Sequence, residues 1–318
     1  MRAAIITLVG YFNYGQRLQN YAVTKILKEL GYQAETLCFR QPKNRNKYLK
    51  RFTEKLIKVK QITDLKKLNR EYDLVVVGSD QVFNYKYLRK TLKRKFNLIS
   101  AVNAIDSSKL IALSASFGTK YVPEEMSDLF KKHLRQYKAL SVREEAGADI
   151  IKSLTGQGVD VLVDPVLITD GWNKLASKKY SGDYIFNFFV KGVEMVPKYA
   201  EEVNKLAAKH GCKVETIHKM AVSDFLSAIK NAKLVVTNSY HGVCMSIIYK
   251  TPFILVEDRA VMSSRFETLF KKLGISDRTI TDPQQLKDIE MEMDYTGIYG
   301  KLNNERQKAL KFINGAVK

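Results

Sequence analysis

Residues Leu234–Arg265 read LVVTNSYHGVCMSIIYKTPFILVEDRAVMSSR. An apolar run, Leu234-Val235-Val236, stops at the polar Thr237-Asn238-Ser239-Tyr240-His241-Gly242. A helix-period pattern follows from Val243 to Tyr249, and then a second apolar run, Pro252 to Val256. Strand, polar turn, helix, strand is the β-α-β unit of a parallel sheet, and such sheets bind ligands beyond the carboxyl ends of their strands. The turn also opens a helix, where unpaired N–H groups and the helix dipole favour an anion. Two readings stay open: a ligand site built around His241, or a capped helix with Asn238 or Ser239 as N-cap and a surface histidine. Capping accounts for the asparagine and the serine but not for the histidine.

The same pattern recurs towards the N-terminus. Ala3 to Val9 is an apolar strand that ends in Gly10-Tyr11-Phe12-Asn13-Tyr14-Gly15; Gln16 to Leu30 is an amphipathic helix stopped by Gly31, and Gln33 to Phe39 returns as a strand. The loop is neither GxGxxG nor a P-loop, so it carries no nucleotide fingerprint. Asn13 and Gly15 either offer N–H groups to a phosphate or merely turn the chain. Residues Gln41 to Asn69 are basic and helical in propensity without a continuous core stripe, and are expected to form a variable, partly mobile excursion. Tyr72 to Val77 is a buried strand ending in Gly78-Ser79-Asp80-Gln81, where an acidic side chain is placed for catalysis or sugar hydroxyls, or for an Asx turn. Further strands end in Ala115-Ser116-Phe117-Gly118, in Arg143-Glu144-Glu145 and in Asp164-Pro165. Side chains at successive carboxyl ends of one parallel sheet converge on one edge.

After Asp164-Pro165 the pattern loosens through Thr169 to Gly182, and the domain boundary is expected there. Beyond it follow a strand from Tyr184 to Phe189, a helix from Val196 to His210, a strand from Lys213 to His218, and a helix capped by Ser223-Asp224 that leads into the opening stretch. The expected architecture is α/β, with two Rossmann-like domains facing each other across a cleft: residues 1–168, residues 183–298 with the His241 turn, and a helical tail, 299–318.

Composition bounds the function. The chain has 318 residues, 45% of them hydrophobic, which suits two globular domains. Cys38, Cys212 and Cys244 are odd in number and lack metal-ligand spacing, so they read as core residues of a reducing compartment, with neither metal nor disulfide expected. Met1-Arg2 leads into an apolar run too short for a signal peptide, and no run approaches the roughly 20 residues that span a bilayer. A cytoplasmic protein is expected, acting at the inner face of the membrane. Lys and Arg number 53 against 33 Asp and Glu, a net charge of +20 that favours anionic partners. No nucleic-acid-binding motif accompanies the charge, and no nucleic-acid partner is expected. The basic stretch from Lys43 to Lys95 reads either as a solvated lysine-rich surface or as one attracted to an anionic membrane face.

Together, NYGQRLQNYA (13–22), VVVGSDQVFN (75–84), SASFG (114–118), SVREE (141–145), DPVL (164–167), the VVTNSYHG turn and SSRFETLFKKLGI (263–275) resemble the polysaccharide pyruvyl transferase family, in that family's order. The resemblance runs from about Met1 to Arg278. It implies a GT-B-like fold and transfer of the pyruvyl group of phosphoenolpyruvate, a co-substrate rather than a cofactor, to two hydroxyls of a sugar or lipid-linked oligosaccharide, giving a ketal. It further implies an acceptor-side N-terminal domain and a donor-side C-terminal one. His241 is then catalytic, with Asp80 as its partner at the acceptor. Arg143, Arg265, Asn238, Ser239 and Gly242 bind the donor, and Asn13, Tyr14, Gly15, Gln19 and Ser116 form an acceptor or phosphate loop. Better-studied members read T-D-R-L-H-G at the turn. Here Ser239 stands at the place of that arginine and Asn238 at that of the aspartate, so the missing charge falls to Arg265 or another cation. Pairing with Glu144 or Glu145 is the structural alternative for Arg143. Two other functions fit the same chain: a GT-B glycosyltransferase with a nucleotide-sugar donor, and a non-catalytic scaffold in surface-polymer assembly.

Overall fold

The computed structural model describes residues 1–42, 46–190, 195–216, 219–257 and 263–318, with the backbone alone for residues 195 and 196. Seven strands form the first sheet: β1 (Arg2–Ile6), β2 (Gln33–Cys38), β3 (Val59–Gln61), β4 (Leu74–Asp80), β5 (Leu110–Ala115), β6 (Ala139–Val142) and β7 (Asp160–Val161). Five form the second: β8 (Tyr184–Phe188), β9 (Lys213–Thr216), β10 (Leu234–Thr237), β11 (Phe253–Val256) and β12 (Thr279–Ile280). The orders are β3-β2-β1-β4-β5-β6-β7 and β12-β11-β10-β8-β9. All pairs are parallel.

Parallel strands covered on both faces read as continuous apolar runs, and the central strands obey this. Ala3 and Ile5 of β1 pack with Val76 and Ile111 on one face, while Ala4 and Ile6 pack with Val75 and Val77 on the other. In each sheet the strand order reverses once, between β1 and β4 in the first and between β8 and β10 in the second. Connections leave on opposite faces at such a point and open a crevice at the carboxyl edge. The NYG loop follows β1, Asp80 ends β4, and the His241 turn follows β10.

The helix Tyr14–Glu29 begins two residues before the expected Gln16, because the Asn13 side chain accepts from Gly15 N at 2.8 Å. Gly31 ends it at φ +84°, with Tyr32 N on Leu27 O at 2.9 Å, a conformation that costs glycine nothing. The excursion expected between Gln41 and Asn69 is instead built structure from Asn46 onward. Asn46 caps the helix Lys47–Leu56, β3 extends the sheet edge, and Lys66–Glu71 is helical. Only Leu49 and Thr53 of the first of these helices are buried, so its periodicity is too thin to read from sequence. The cap expected from Ser223-Asp224 is also corrected: the helix Val222–Lys230 starts one residue earlier, without a side-chain cap, and Asp224 lies in its first turn. There it favours the helix dipole and pairs with Lys179 at 3.4 Å. The strand expected as far as His218 ends at Thr216; His218 lies outside the described residues.

One apolar cluster joins the two halves. Tyr14, Leu18 and Ala22 meet Trp172, Phe225, Val243 and Met245, and Leu49 belongs to the same cluster. The Tyr14 ring stacks on Phe225 at 4.5 Å, and its hydroxyl bonds both the N–H (2.8 Å) and the carbonyl (2.9 Å) of Met220. The 21-residue helix Thr296–Ala316 serves both halves. Ile298 and Leu302 belong to the second-sheet cluster, and Ala309, Ile313 and Ala316 to that of β1. Among the described residues no helix is long and apolar enough to cross a membrane.

Ile313 is 2% exposed, so Ile313→Ala opens a cavity under β1 and is expected to lower the unfolding free energy by about 2–5 kcal/mol in urea melts. An unchanged midpoint would mean that the helix is only an appendage.

Candidate active site

The strand ends meet at Asp164. This residue caps the short helix Pro165–Ile168, its Oδ1 accepting from Val166 N at 3.0 Å, with proline at the position that needs no N–H. Its Oδ2 accepts from Arg143 Nη1 at 2.5 Å and lies 3.1 Å from Ser79 Oγ, whose single proton is shared with the Ser114 carbonyl at 2.8 Å. His241 Nε2 stands 3.5 Å away without meeting hydrogen-bond geometry. The Asp164 side chain is fully buried, which by itself raises a carboxyl pKa. His241, Arg143 and the Val166 N–H outweigh burial and hold Asp164 well below the usual carboxylate range.

Arg143 follows β6 and is buried. Its Nη2 lies 3.4 Å from Asp80 Oδ1, and its guanidinium sits 4.4 Å over the Tyr240 ring. Arg265, half-buried, approaches the same ring at 5.7 Å. Burial, and then the Arg143 charge, lower the Arg265 pKa. The structural alternative for Arg143 is corrected. Glu144 turns away and accepts from Ser116 Oγ (2.9 Å), Phe117 N (2.7 Å) and Gly118 N (3.0 Å), and Glu145 pairs with Lys271 at 3.0 Å. Asp80 has φ 66°, uncommon for an aspartate, and its carbonyl accepts from Ser116 N at 2.9 Å.

His241 is the second residue of the helix Tyr240–Tyr249, which Ser239 caps by accepting from Gly242 N at 3.1 Å. A Cβ on Gly242 would stand 3.0 Å from Thr237 Oγ1, so a larger residue here would press on that hydroxyl. A Cβ on Gly15 would stand 2.0 Å from His241 Nδ1. Gly15 is itself the second residue of the helix Tyr14–Glu29. Two helix N-termini, one from each half, therefore meet at the imidazole, and both present the positive end of a dipole.

Asp80, Arg143, Gly15, Tyr240 and His241 thus come together, with Arg265 also near the Tyr240 ring. Other predicted residues serve as supports. Asn13 is a cap and Tyr14 a rivet of the seam. Gln19 Nε2 donates to Thr7 Oγ1 at 2.9 Å, Ser116 holds Glu144, and Asn238 Oδ1 accepts from Val190 N at 2.8 Å. Sequence reasoning missed three participants. Asp164 was visible only as a strand end before a proline, Glu144 as a partner for its neighbour, and Arg17 as an ordinary helix residue. Arg17 is fully buried, donating to Leu8 O at 2.6 Å and to Asn20 Oδ1 at 3.3 Å. Among the described residues no three His, Cys, Asp or Glu side chains are placed to hold a metal ion.

Asp164→Asn leaves Arg143 buried without its closest anion and is expected to cost about 3–5 kcal/mol at neutral pH. Because the folded-state pKa of Asp164 is depressed, its stabilisation is present above the unfolded value of about 3.9 and is lost as pH falls below it towards the folded value. The difference between wild type and variant in denaturant melts should therefore narrow below pH 4; a difference that stays constant down to pH 2 would refute this.

Similarity to known proteins bears on the family and the fold. The family model for polysaccharide pyruvyl transferase matches residues 13–258. No curated protein matches the sequence. Among solved structures, a putative UDP-N-acetylglucosamine 2-epimerase from Listeria monocytogenes is similar at TM-score 0.63 and 11% identity, over 98% of this chain and 95% of that one. The UDP-GlcNAc 2-epimerase from Methanocaldococcus jannaschii is similar at 0.59 and 13%, over 99% of both. Acinetobacter baumannii MurG is similar at 0.52 and 9%, over 99% and 100%. At these identities the likeness is one of fold, two α/β domains of GT-B type. With most of its length matched by the family model, the chain belongs to the polysaccharide pyruvyl transferase family and is a transferase.

Proposed function

We propose that the protein transfers the pyruvyl group of phosphoenolpyruvate to two hydroxyls of one sugar in a cell-surface polysaccharide or its lipid-linked precursor. The products are a cyclic ketal and inorganic phosphate. One observation carries the reading: two helix N-termini meet at a single histidine, and Arg143 and Arg265 lie against the ring of the tyrosine next to it. Phosphoenolpyruvate carries a carboxylate and a phosphate on one small skeleton, and guanidiniums and backbone N–H groups are the groups that bind both.

The chemistry needs one proton delivered and two removed. Protonation of the methylene carbon leaves positive charge at the carbon bearing the carboxylate, and the first sugar hydroxyl attacks there and gives up its proton. The C–O bond to phosphate then breaks, and the second hydroxyl closes the ring. One hydroxyl proton thus replaces the one delivered to the methyl group, and the other leaves with phosphate. His241 is proposed as the proton carrier, with the Asp164 carboxylate as the anion that a protonated imidazole faces. Asp80, buried at the end of β4 beside Arg143, is proposed to receive or orient an acceptor hydroxyl.

Four exposed aromatics support an acceptor presented at a membrane. Tyr48, Phe12, Tyr87 and Tyr121 lie in the segments that follow β2, β1, β4 and β5, neighbours in the sheet, and Lys47, Arg51, Lys86, Arg89 and Lys120 flank three of them in sequence. Aromatic rings beside Lys and Arg suit an anionic lipid surface. Wild type is expected to float with vesicles containing phosphatidylglycerol and not with neutral vesicles. Phe12→Ser/Tyr121→Ser should lose flotation; retention by the double variant would remove this face from the proposal.

For the reaction, phosphoenolpyruvate should raise the melting temperature, by the equivalent of about 2.7 kcal/mol at 100 times its Kd. His241→Asn should fold normally and lower turnover by about 10²–10⁴-fold. A melting response to UDP or UDP-sugars alone would replace the donor and favour a glycosyltransferase, and full turnover in His241→Asn would end the assignment of His241.

A further inference from the structure

Arg17 is a buried charge that the mechanism above does not use. It lies one turn into the helix Tyr14–Glu29, two residues after the glycine that touches His241. Its guanidinium bonds the Leu8 carbonyl, just past the end of β1. The adjoining strand β4 ends there: Thr7 Oγ1 donates to the Ser79 carbonyl at 3.0 Å, and Asp80 follows. Asp80 leads through Arg143 to Tyr240, and Arg265 lies against the same ring. Three guanidiniums therefore flank the strand-end site.

They are not equally balanced. Arg143 has Asp164 and Asp80, whereas Arg17 and Arg265 have no carboxylate within ion-pair distance among the described residues. Arg17 has no exposed surface, and among the described residues its Nε has no hydrogen-bond partner. Among the described residues two more buried nitrogens in the same neighbourhood, Arg143 Nε and His241 Nε2, make no hydrogen bond, although His241 Nε2 stands 3.5 Å from Asp164. A buried cation without a counter-charge lowers the stability of the folded chain, and a neutral side chain of similar shape would avoid that cost. Burial pushes Arg17 down to about 10, with Tyr11 and Asp80 acting in the opposite direction.

We propose that Arg17 is a fixed positive charge held beneath the site for a phosphoryl group, unbalanced in the free protein and compensated when that group binds beside His241 and Arg265. It takes up the charge missing at Ser239 from a different helix and from the other half of the molecule. The inference rests on the site assignment of the preceding subsection, not on which phosphorylated donor occupies it. Arg17 acts here as a positioning charge through the field it sets up, and no direct contact with the ligand is required.

The test sets affinity against stability, measured with inorganic phosphate by calorimetry and by melting in phosphate-free chloride buffer of matched ionic strength. Arg17→Met is expected to weaken phosphate binding at least tenfold while melting at or above the wild-type temperature in chloride buffer. A purely structural arginine gives the reverse, a lower melting temperature with unchanged phosphate affinity, and that result overturns the proposal. So does wild type that binds no phosphate. If Arg17→Met does not fold, Arg17→Gln keeps a donor for the Leu8 carbonyl and carries the same expectation for phosphate. Phosphoenolpyruvate is titrated in parallel. Phosphate binding that depends on Arg17, without phosphoenolpyruvate binding, would sink the proposed donor and leave this inference standing. Equal phosphoenolpyruvate and phosphate binding by wild type and Arg17→Met would sink the inference and leave the donor standing.

Discussion

The Asp164 carboxylate is the interaction on which the site depends. It is fully buried and receives Arg143, a hydroxyl shared by Ser79, and the first N–H of the helix it caps. Taking an ion pair out of water costs several kcal/mol per ion, and the attraction offsets this only where the geometry is close and further hydrogen bonds satisfy the charged groups. The set here joins the ends of β4 and β6 to the segment after β7, and His241 brings in the second sheet. Small displacements of any one of these strand ends would leave a buried charge partly unpaired. The network thus fixes register where the strands themselves have stopped pairing.

The second constraint is steric. Gly15 has no side chain because the imidazole of His241 occupies that space, and the apolar seam through Tyr14, Phe225 and Trp172 sets how closely the two helices approach. Two helix N-termini facing each other repel through their dipoles, and the seam supplies the opposing attraction. The folded chain therefore holds positive poles together at a place where an anion would relieve the repulsion. Fold stability and ligand affinity draw on the same arrangement with opposite sign, the usual relation between stability and function at an active site.

Much of this was legible in the sequence. The alternation of apolar runs with polar turns places Asp80, Ser116, Arg143 and His241 at strand ends, and the parallel-sheet rule gathers strand ends on one edge. Partnerships were less legible. Glu144 adjoins Arg143 in sequence, but consecutive residues leaving a strand point in opposite directions, so the arginine reaches Asp164 and the glutamate reaches the loop at residues 116–118. Arg17 lies within the stretch 13–22 but at an ordinary helical position; only the burial of its guanidinium sets it apart. The helix Lys47–Leu56 buries two side chains, too few to raise a periodic signal above its lysines. Pattern reading recovers secondary structure where one face is apolar over many residues, and it loses elements whose place is set by a few tertiary contacts.

The last helix has a mechanical consequence. At 21 residues it is about 31 Å long, with one end clamped in the second sheet's cluster and the other under β1. A helix of that length resists bending far more than a loop does, so it works as a tie rod between the two halves. Swinging motion that changes the distance between its clamps is stiff. Opening the space between the two sheets would thus have to work against the rod as well as against the apolar seam.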